Sequence, residues 1–400
     1  MGEAGVGEAG VSEAGAEAKA AGERGGAADA RRRIEARARE LGFDAVGFAR
    51  ADEPIDEDFA RYEAFLDAGM HGTMDYLAEH REARRRLDGE AILAGARSVI
   101  CLARRYHRGG EGEGEGVVGS IARYARGRDY HTFLRRRLRQ LAAFVRGLGP
   151  GVEARAVVDT APVLERAWAA RAGLGFVGKN GLLIVPGQGS YALLGEVVTT
   201  LALPAGVPMR ERCGACTRCL DACPTGAFVR PFVLDARRCV SYLSIEHRGP
   251  VDEALRPAMG GHLFGCDACQ EACPFNATRP APASSTEPFA PLPKWRALGP
   301  ESLLELEPGV WDELAASSPV KRAGEAGIVR NALTVLANGG RAAACAPAIE
   351  RLRDTHPDAA VREHAAWALS RGGERRGDGP APGPAEGAPG ERGDAEEAGS

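Results

Sequence analysis

The chain has 400 residues, of which 44% are hydrophobic and 26% charged, with a net charge of −4, which is long and apolar enough for more than one domain with its own core. No apolar run approaches the ~18 residues of a membrane helix, and the N-terminus lacks the basic start and apolar stretch of a secretion signal. A cytoplasmic chain is expected, one in which ten cysteines point to metal or redox chemistry before disulfides.

Residues 1–29 repeat a GEAGV-like unit, and residues 372–400 are rich in Gly, Pro and Glu. Neither segment has enough bulky apolar side chains to offset the entropy of ordering, so both are expected to be disordered tails. Each tail carries −4, which leaves +4 over 30–371 and allows a polyanionic partner. Residues 31–41 read as an amphipathic helix stopped by Gly42, and FDAVGFA (43–49) and SVICLA (98–103) read as buried strands. A basic helical region spans 121–149, ARAVVD (154–159) reads as a strand, and a helix is expected from Pro162 to about Ala172. The run 181–203 reads as a hairpin turning at PGQG. An α/β or α+β domain is therefore expected over 30–204, a cysteine-rich domain over 205–285, and a linker with HEAT-like helices over 286–371.

The cysteine spacing is the most specific signal. Cys213, Cys216, Cys219 and Cys223 follow an x2, x2, x3 pattern ending in Pro224, and Cys266, Cys269 and Cys273 give a shorter run ending in Pro274. The first is the bacterial ferredoxin pattern, in which the fourth cysteine serves the other cluster. Two four-iron cubes need eight thiolates, and Cys239, between the runs, completes the count. One 4Fe-4S cluster would take Cys213, Cys216, Cys219 and Cys273, and the other Cys223, Cys239, Cys266 and Cys269. Zinc sites use separated C-x2-C pairs, which this pattern lacks. Cys101 and Cys345 read as small buried apolar residues.

Beside these runs stand HGTMDYL (71–77), GARSVICLA (95–103), IARYARGRDYH (121–131), VDTAPVLERAWAARAGLGFVGKNGLLI (158–184), CVSYLSIEHRG (239–249), GIVRN (327–331) and VREHAAWAL (361–369). In these segments the chain resembles the epoxyqueuosine reductase family over roughly 30–371. The resemblance implies an α+β fold with an N-terminal α/β domain binding cob(II)alamin, a ferredoxin-like two-cluster insert, and a C-terminal helical repeat that holds tRNA. It implies reduction of the epoxide of epoxyqueuosine at the tRNA wobble position. The expected partners are that tRNA and a low-potential electron donor of ferredoxin or flavodoxin type, with no membrane and a monomeric chain. The alternatives are another corrinoid reductase of dehalogenase type, or a plain electron carrier.

Asp159 follows a strand and precedes Thr160-Ala161-Pro162. Read alone, it suits a helix N-cap. The resemblance makes it the proton donor, which implies a carboxyl kept protonated near neutrality in an apolar, anion-lined pocket. By resemblance, Ala122, Arg123, Tyr124, Lys179, Asn180, Ser241, Cys266 and Asp267 line the corrinoid pocket. His131 nearly completes a D-x-H-x-x-G cobalt-ligand motif, but Leu134 stands where the glycine belongs, so no histidine ligand is expected. Arg126 stands where a large apolar residue is expected in the family pattern. Arg123, Arg126, Arg128, Arg135, Arg136, Arg137 and Arg139 read as a solvated face or a phosphate-binding surface. Arg330, Asn331 and Arg362 are second candidates for RNA contact.

Overall fold

The computed structural model describes residues 13–107, 116–277, 289–307 and 309–372. The 372–400 tail, apart from its first residue, and the PAPASSTEP linker at 280–288 thus lie outside the described residues. The first helix, Glu13–Glu40, begins much earlier than residue 31. More than half of the 1–29 segment expected to be disordered, residues 13–29, is therefore helical. The helix ends as expected ahead of Gly42, whose φ of +86° suits glycine best.

The N-terminal domain is built on a sheet of β1 (Ala45–Arg50), β2 (Ser98–Arg105), β3 (Ala154–Val157) and β6 (Ala192–Thr199). Their order is β1-β2-β6-β3, and every pair is antiparallel. This domain is accordingly α+β, not α/β. All eight residues of β2 are buried, as a continuous apolar run at the sheet centre requires. Ile100 and Leu102 pack with Leu134, Leu138 and Leu141 of the Tyr130–Arg146 helix on one face. Val99, Cys101 and Ala103 pack with Trp168 of the Glu165–Arg171 helix on the other. The PGQG turn forms, closed by hydrogen bonds between Val185 and Gly189. Its flanks do not pair with one another, however. Phe176–Val177 (β4) pairs with Leu183–Ile184 (β5), while β6 joins the main sheet. The long strand finds eight partners on β2, more than the two-residue β5 can offer.

The cysteine region is fastened to this domain at several places, two of them through close backbone approach. Ala122 N–H donates to the Phe264 carbonyl at 2.8 Å, and Gly265 at φ +70° lies so close to Ala122 that a Cβ there would clash with its methyl. On the far side, Asn276 Oδ1 accepts from Ser190 N at 2.7 Å and sits where any Cβ on Gly189 would stand.

The C-terminal block packs the helices Gly324–Asn338, Ala346–Thr355 and Ala359–Gly372. Residues Ile328 to Leu336 are buried without a break, as in a helix covered on all sides. Their core also takes in Val117, Ile121, Phe264, Trp295 and Trp311, so this block shares one interior with the cysteine region. Among the described residues, no helix is long and apolar enough to cross a membrane.

Candidate functional site

All ten cysteines are free thiols. Cys213, Cys216, Cys219 and Cys273 line one cavity, together with Lys179, Asn180 and Phe275. The last thiol comes from the second run, so the crossed arrangement that the spacing implies is present in the fold. Lys179 Nζ donates to the carbonyls of Gly214 at 2.5 Å and Cys216 at 3.1 Å, pinning the loop that carries two of these thiols. Cys223, Cys239, Cys266 and Cys269 form the other group. Cys269 feels Cys239, Cys266 and Cys223 electrostatically, and Cys266 feels Cys239 and Cys223. Burial pushes Cys239, Cys266 and Cys269 up, Cys266 to about 12, and in the first quartet it pushes Cys213 up to about 11, so thiolates there require a cationic partner. Among the described residues, no three His, Cys, Asp or Glu side chains converge on a point that a single metal ion would fill. Four thiols ringing one cavity fit a four-iron cube. Cys219 and Cys269 are electrostatic neighbours, so the two quartets adjoin. Cys101 is fully buried in β2, whereas Cys345 is only half-buried.

Asp159 lies just past β3 at φ +42°, a left-handed conformation that Asp tolerates better than most residues. It caps no helix, since Leu164 occupies that position without a side-chain bond. Its N–H donates to Glu165 Oε1 at 2.6 Å. Its Oδ2 accepts from Tyr130 Oη at 3.3 Å and lies 2.6 Å from His131 Nε2. The other ring nitrogen, Nδ1, is 2.7 Å from Asp129 Oδ1. Both imidazole nitrogens are thus engaged, which leaves His131 no lone pair for a metal.

This geometry corrects the expected protonation of Asp159. His131 is the chief cause that holds its carboxyl below the usual range, and it outweighs desolvation. Asp129 first and Asp159 next push His131 up to about 9. Besides the Asp129 and Glu165 carboxyls, the surroundings of Asp159 include the cationic His131 and Arg322 and the Tyr130 hydroxyl. Behind it, burial raises Glu165 to about 7. Glu196 of β6 is fully buried with neither carboxyl oxygen hydrogen-bonded, and burial pushes it well above the usual carboxylate range.

The structure brings several of the expected pocket residues together. Arg123 donates from its backbone N–H to Asp267 Oδ2 at 2.7 Å and from Nη1 at 3.3 Å, directly beside Cys266. Tyr124 feels both Asp159 and Asp267 and lies with its ring 6.0 Å from that of Tyr130. Ser241 stands beside Cys239 and favours its thiolate. Lys179 and Asn180, by contrast, stand against the first thiol quartet. Tyr76, which is 44% exposed, and Arg322 also face Asp159 electrostatically, with Arg322 stacked over the Tyr76 ring. Sequence reading missed Tyr76, Tyr130, Glu165 and Arg322. The one available signal was Asp129-x-His131, a capping aspartate two residues from a histidine.

The basic stretch divides by depth. Arg126 is buried and donates to the Ile121 carbonyl at 2.8 Å, so it cannot touch RNA. Arg137 packs over Phe133 and bonds the Leu41 carbonyl. Arg135, Arg136 and Arg139 stay exposed along a shallow groove with Thr132 and Gln140. The C-terminal candidates are a further correction. Arg330 and Asn331 are 2% and 0% exposed. Arg330 donates to the carbonyls of Leu243, His247 and Gly249, and Asn331 to those of Ser244 and Leu263. They clamp the helical block onto the cysteine region. Arg362 is occupied by the carbonyls of His356 and Pro357.

Two adjoining thiol quartets that would hold four-iron clusters, near an Asp–His pair able to exchange a proton, are the working parts of an iron–sulfur oxidoreductase. Similarity to known proteins agrees. Residues 212–276 match the model of the 4Fe-4S double cluster binding domain, and residues 86–160 that of "Epoxyqueuosine reductase QueG, DUF1730". The epoxyqueuosine reductase of Gloeobacter violaceus is 43% identical, covering 77% of this chain and 96% of its own. That of Pseudomonas aeruginosa is 41% identical, covering 84% and 92%. Among solved structures, an epoxyqueuosine reductase with an epoxyqueuosine-modified tRNA-Tyr stem loop superposes with a TM-score of 0.77 at 30% identity, covering 86% of this chain and 90% of that one. The chain belongs to the epoxyqueuosine reductase family.

Proposed function

We propose that this chain reduces the epoxide of epoxyqueuosine, at the wobble position of tRNA, to the alkene of queuosine, with Asp159 as proton donor. The observation that carries this reading is the convergence on Tyr124. It feels the charges of both Asp159 and Asp267, next to the Cys266 ligand, and its ring lies 6.0 Å from that of Tyr130, which bonds Asp159. Protons and electrons are thereby directed to one cleft. A corrinoid is what the family resemblance implies there, and Ala122 to Tyr124, Ser241, Cys266 and Asp267 would hold it, with Arg123 bonded to Asp267 and His131 tied up by two carboxylates. When bound, it would supply a nucleophilic metal centre toward the epoxide. Asp159 then protonates the oxygen as its C–O bond opens, Tyr130 orients that carboxyl, and Arg322 with Tyr76 screens it from one side.

The first quartet is the natural point of electron entry. Its loop carries exposed Arg210, Arg212 and Arg218, which suit an acidic low-potential donor of ferredoxin or flavodoxin type. We take the chain to work as a cytoplasmic monomer. The test of the activity is direct. Reduced, anaerobically reconstituted protein is incubated with epoxyqueuosine-containing tRNA, which is then digested and weighed by mass spectrometry. Queuosine is expected, and unchanged epoxyqueuosine at full cluster and corrinoid loading rejects the reading.

Arg135, Arg136 and Arg139 supply the tRNA-facing charge. Among the described residues they form no ion pair, and their helix carries His131 in its first turn. Reversing all three to Glu is expected to weaken tRNA binding and to reduce the slope of log K against log salt by about 0.7–0.9 for each phosphate no longer neutralised. Titration of binding at several salt concentrations measures this. An unchanged slope would make the groove a merely solvated face.

A further inference from the structure

His131 has no role in the reading above, yet it is the side chain most tightly joined to Asp159. Its imidazole bridges two carboxylates, Asp129 at 2.7 Å through Nδ1 and Asp159 at 2.6 Å through Nε2. Asp129 is fixed, because it caps the Tyr130–Arg146 helix and accepts the His131 N–H at 2.9 Å. Tyr130 stacks on the imidazole with ring centroids 4.1 Å apart and donates to the same Asp159 oxygen. The ring is therefore held in place and in plane by its own helix, with one edge open, since the His131 side chain is 26% exposed. Asp159 comes from a different element and is set against Nε2 by its left-handed backbone and by Glu165.

We infer that His131 is a positioning and proton-holding residue for Asp159, so that the acid of this site is the Asp129–His131–Asp159 chain and not a lone carboxyl. The inference rests on Asp159 being the proton donor. Converting an epoxide to an alkene breaks both C–O bonds and consumes two electrons and two protons, releasing one water. The electrons come from the external low-potential donor through the thiol quartets. The first proton passes from Nε2 to Asp159 Oδ2 and on to the epoxide oxygen as the first C–O bond opens, leaving His131 neutral. Solvent then returns a proton to Nε2 by way of the Asp159 carboxylate, whose side chain is half exposed, and the Asp129 charge at Nδ1 favours its passage to the ring. The second proton follows the same path as the oxygen departs as water. A lone Asp159 holds one proton at most, and beside His131 it holds none at neutral pH, since the pair resides as imidazolium and carboxylate. The charged and titratable groups facing the pair are Asp129 and Arg135 from its own helix, Glu165 and Arg166 from the helix after Asp159, Tyr124, Tyr130, Tyr76 and Arg322.

The test is the pH profile of single-turnover queuosine formation by pre-reduced holoenzyme, wild type against His131→Gln. Glutamine keeps an N–H for Asp159 but cannot carry a proton. The wild-type rate is expected to hold through neutrality and to fall as pH rises past about 9. His131→Gln, with iron and corrinoid unchanged, is expected to lose about a hundredfold near pH 8 and to recover as pH falls toward the carboxylate range. A variant with the wild-type rate and profile overturns the inference. A second readout needs neither turnover nor a folded variant. In nuclear magnetic resonance of the wild-type histidines, one imidazole should titrate near 9, and the absence of any titrating well above 7 also overturns it. If the wild type makes no queuosine, the activity reading fails, while the imidazole titration still decides the state of His131.

Discussion

Asp159→Asn holoenzyme is expected to load both clusters and the corrinoid, to bind tRNA, and to form queuosine about 10²–10⁴-fold more slowly, the usual contribution of a placed general acid. Asparagine is the informative substitution here. It accepts the left-handed φ of +42° nearly as readily as aspartate, so the backbone bond to Glu165 survives. It can also still bond Tyr130 and His131. What it loses is the ability to pass on a proton. Alanine would add backbone strain at the same position and mix two effects. Iron content, corrinoid absorbance and tRNA affinity are measured beside turnover. An asparagine variant that turns over at the wild-type rate removes Asp159 from the chemistry, whatever the rest of the cleft does.

The second large effect concerns the crossed thiols. Cys273→Ala should lower iron from about eight to about four per chain and abolish the same cluster as Cys213→Ala, even though Cys273 is 60 residues further along the chain. Cys269→Ala, four residues before Cys273, should abolish the other cluster, as should Cys223→Ala and Cys239→Ala. Electron paramagnetic resonance of the reduced variants sorts them, since each pair that shares a cluster should leave the same residual signal. Cavity lining groups Cys273 with Cys213, Cys216 and Cys219. If Cys273→Ala left the same signal as Cys269→Ala, each run would serve its own cluster, and the wiring described above would be wrong.

The gathering of Cys213, Cys216, Cys219 and Cys273 around one cavity was legible in the sequence because it depends on local spacing. Short x2 and x3 intervals fix how far consecutive sulfurs can separate, and the sulfur count singled out Cys239 as the candidate eighth ligand. Strands β1, β2 and β3 were legible for a similar reason, as compact apolar runs. What sequence could not supply was depth. Arg135 and Arg330 are both arginines in helical patterns, yet one faces solvent and the other spends its guanidinium on three carbonyls of the cysteine region. Only the packing of the Gly324–Asn338 helix against residues 243–249 decides between them. The charge state of Asp159 was hidden in the same way. Its partner lies 28 residues earlier, and no local rule brings the two together. The pairing of β6 was also missed, because a turn signal reports where the chain reverses and not which strand lies alongside.

The fastening of the cysteine region has a kinetic consequence. Backbone pairing at Ile121 and Phe264, the Asn276 bond to Ser190 and the Arg330 clamp grip it from three directions. Its sulfur ligands thus cannot swing relative to the cleft as they would on a hinged carrier. Because single-electron hopping decays steeply with separation, each hop proceeds over a fixed gap. The throughput of the relay is then governed by how quickly reducing equivalents arrive and how firmly the nucleic acid is seated, and a hinge loosened by glycine substitutions in this region would slow reduction without altering either endpoint.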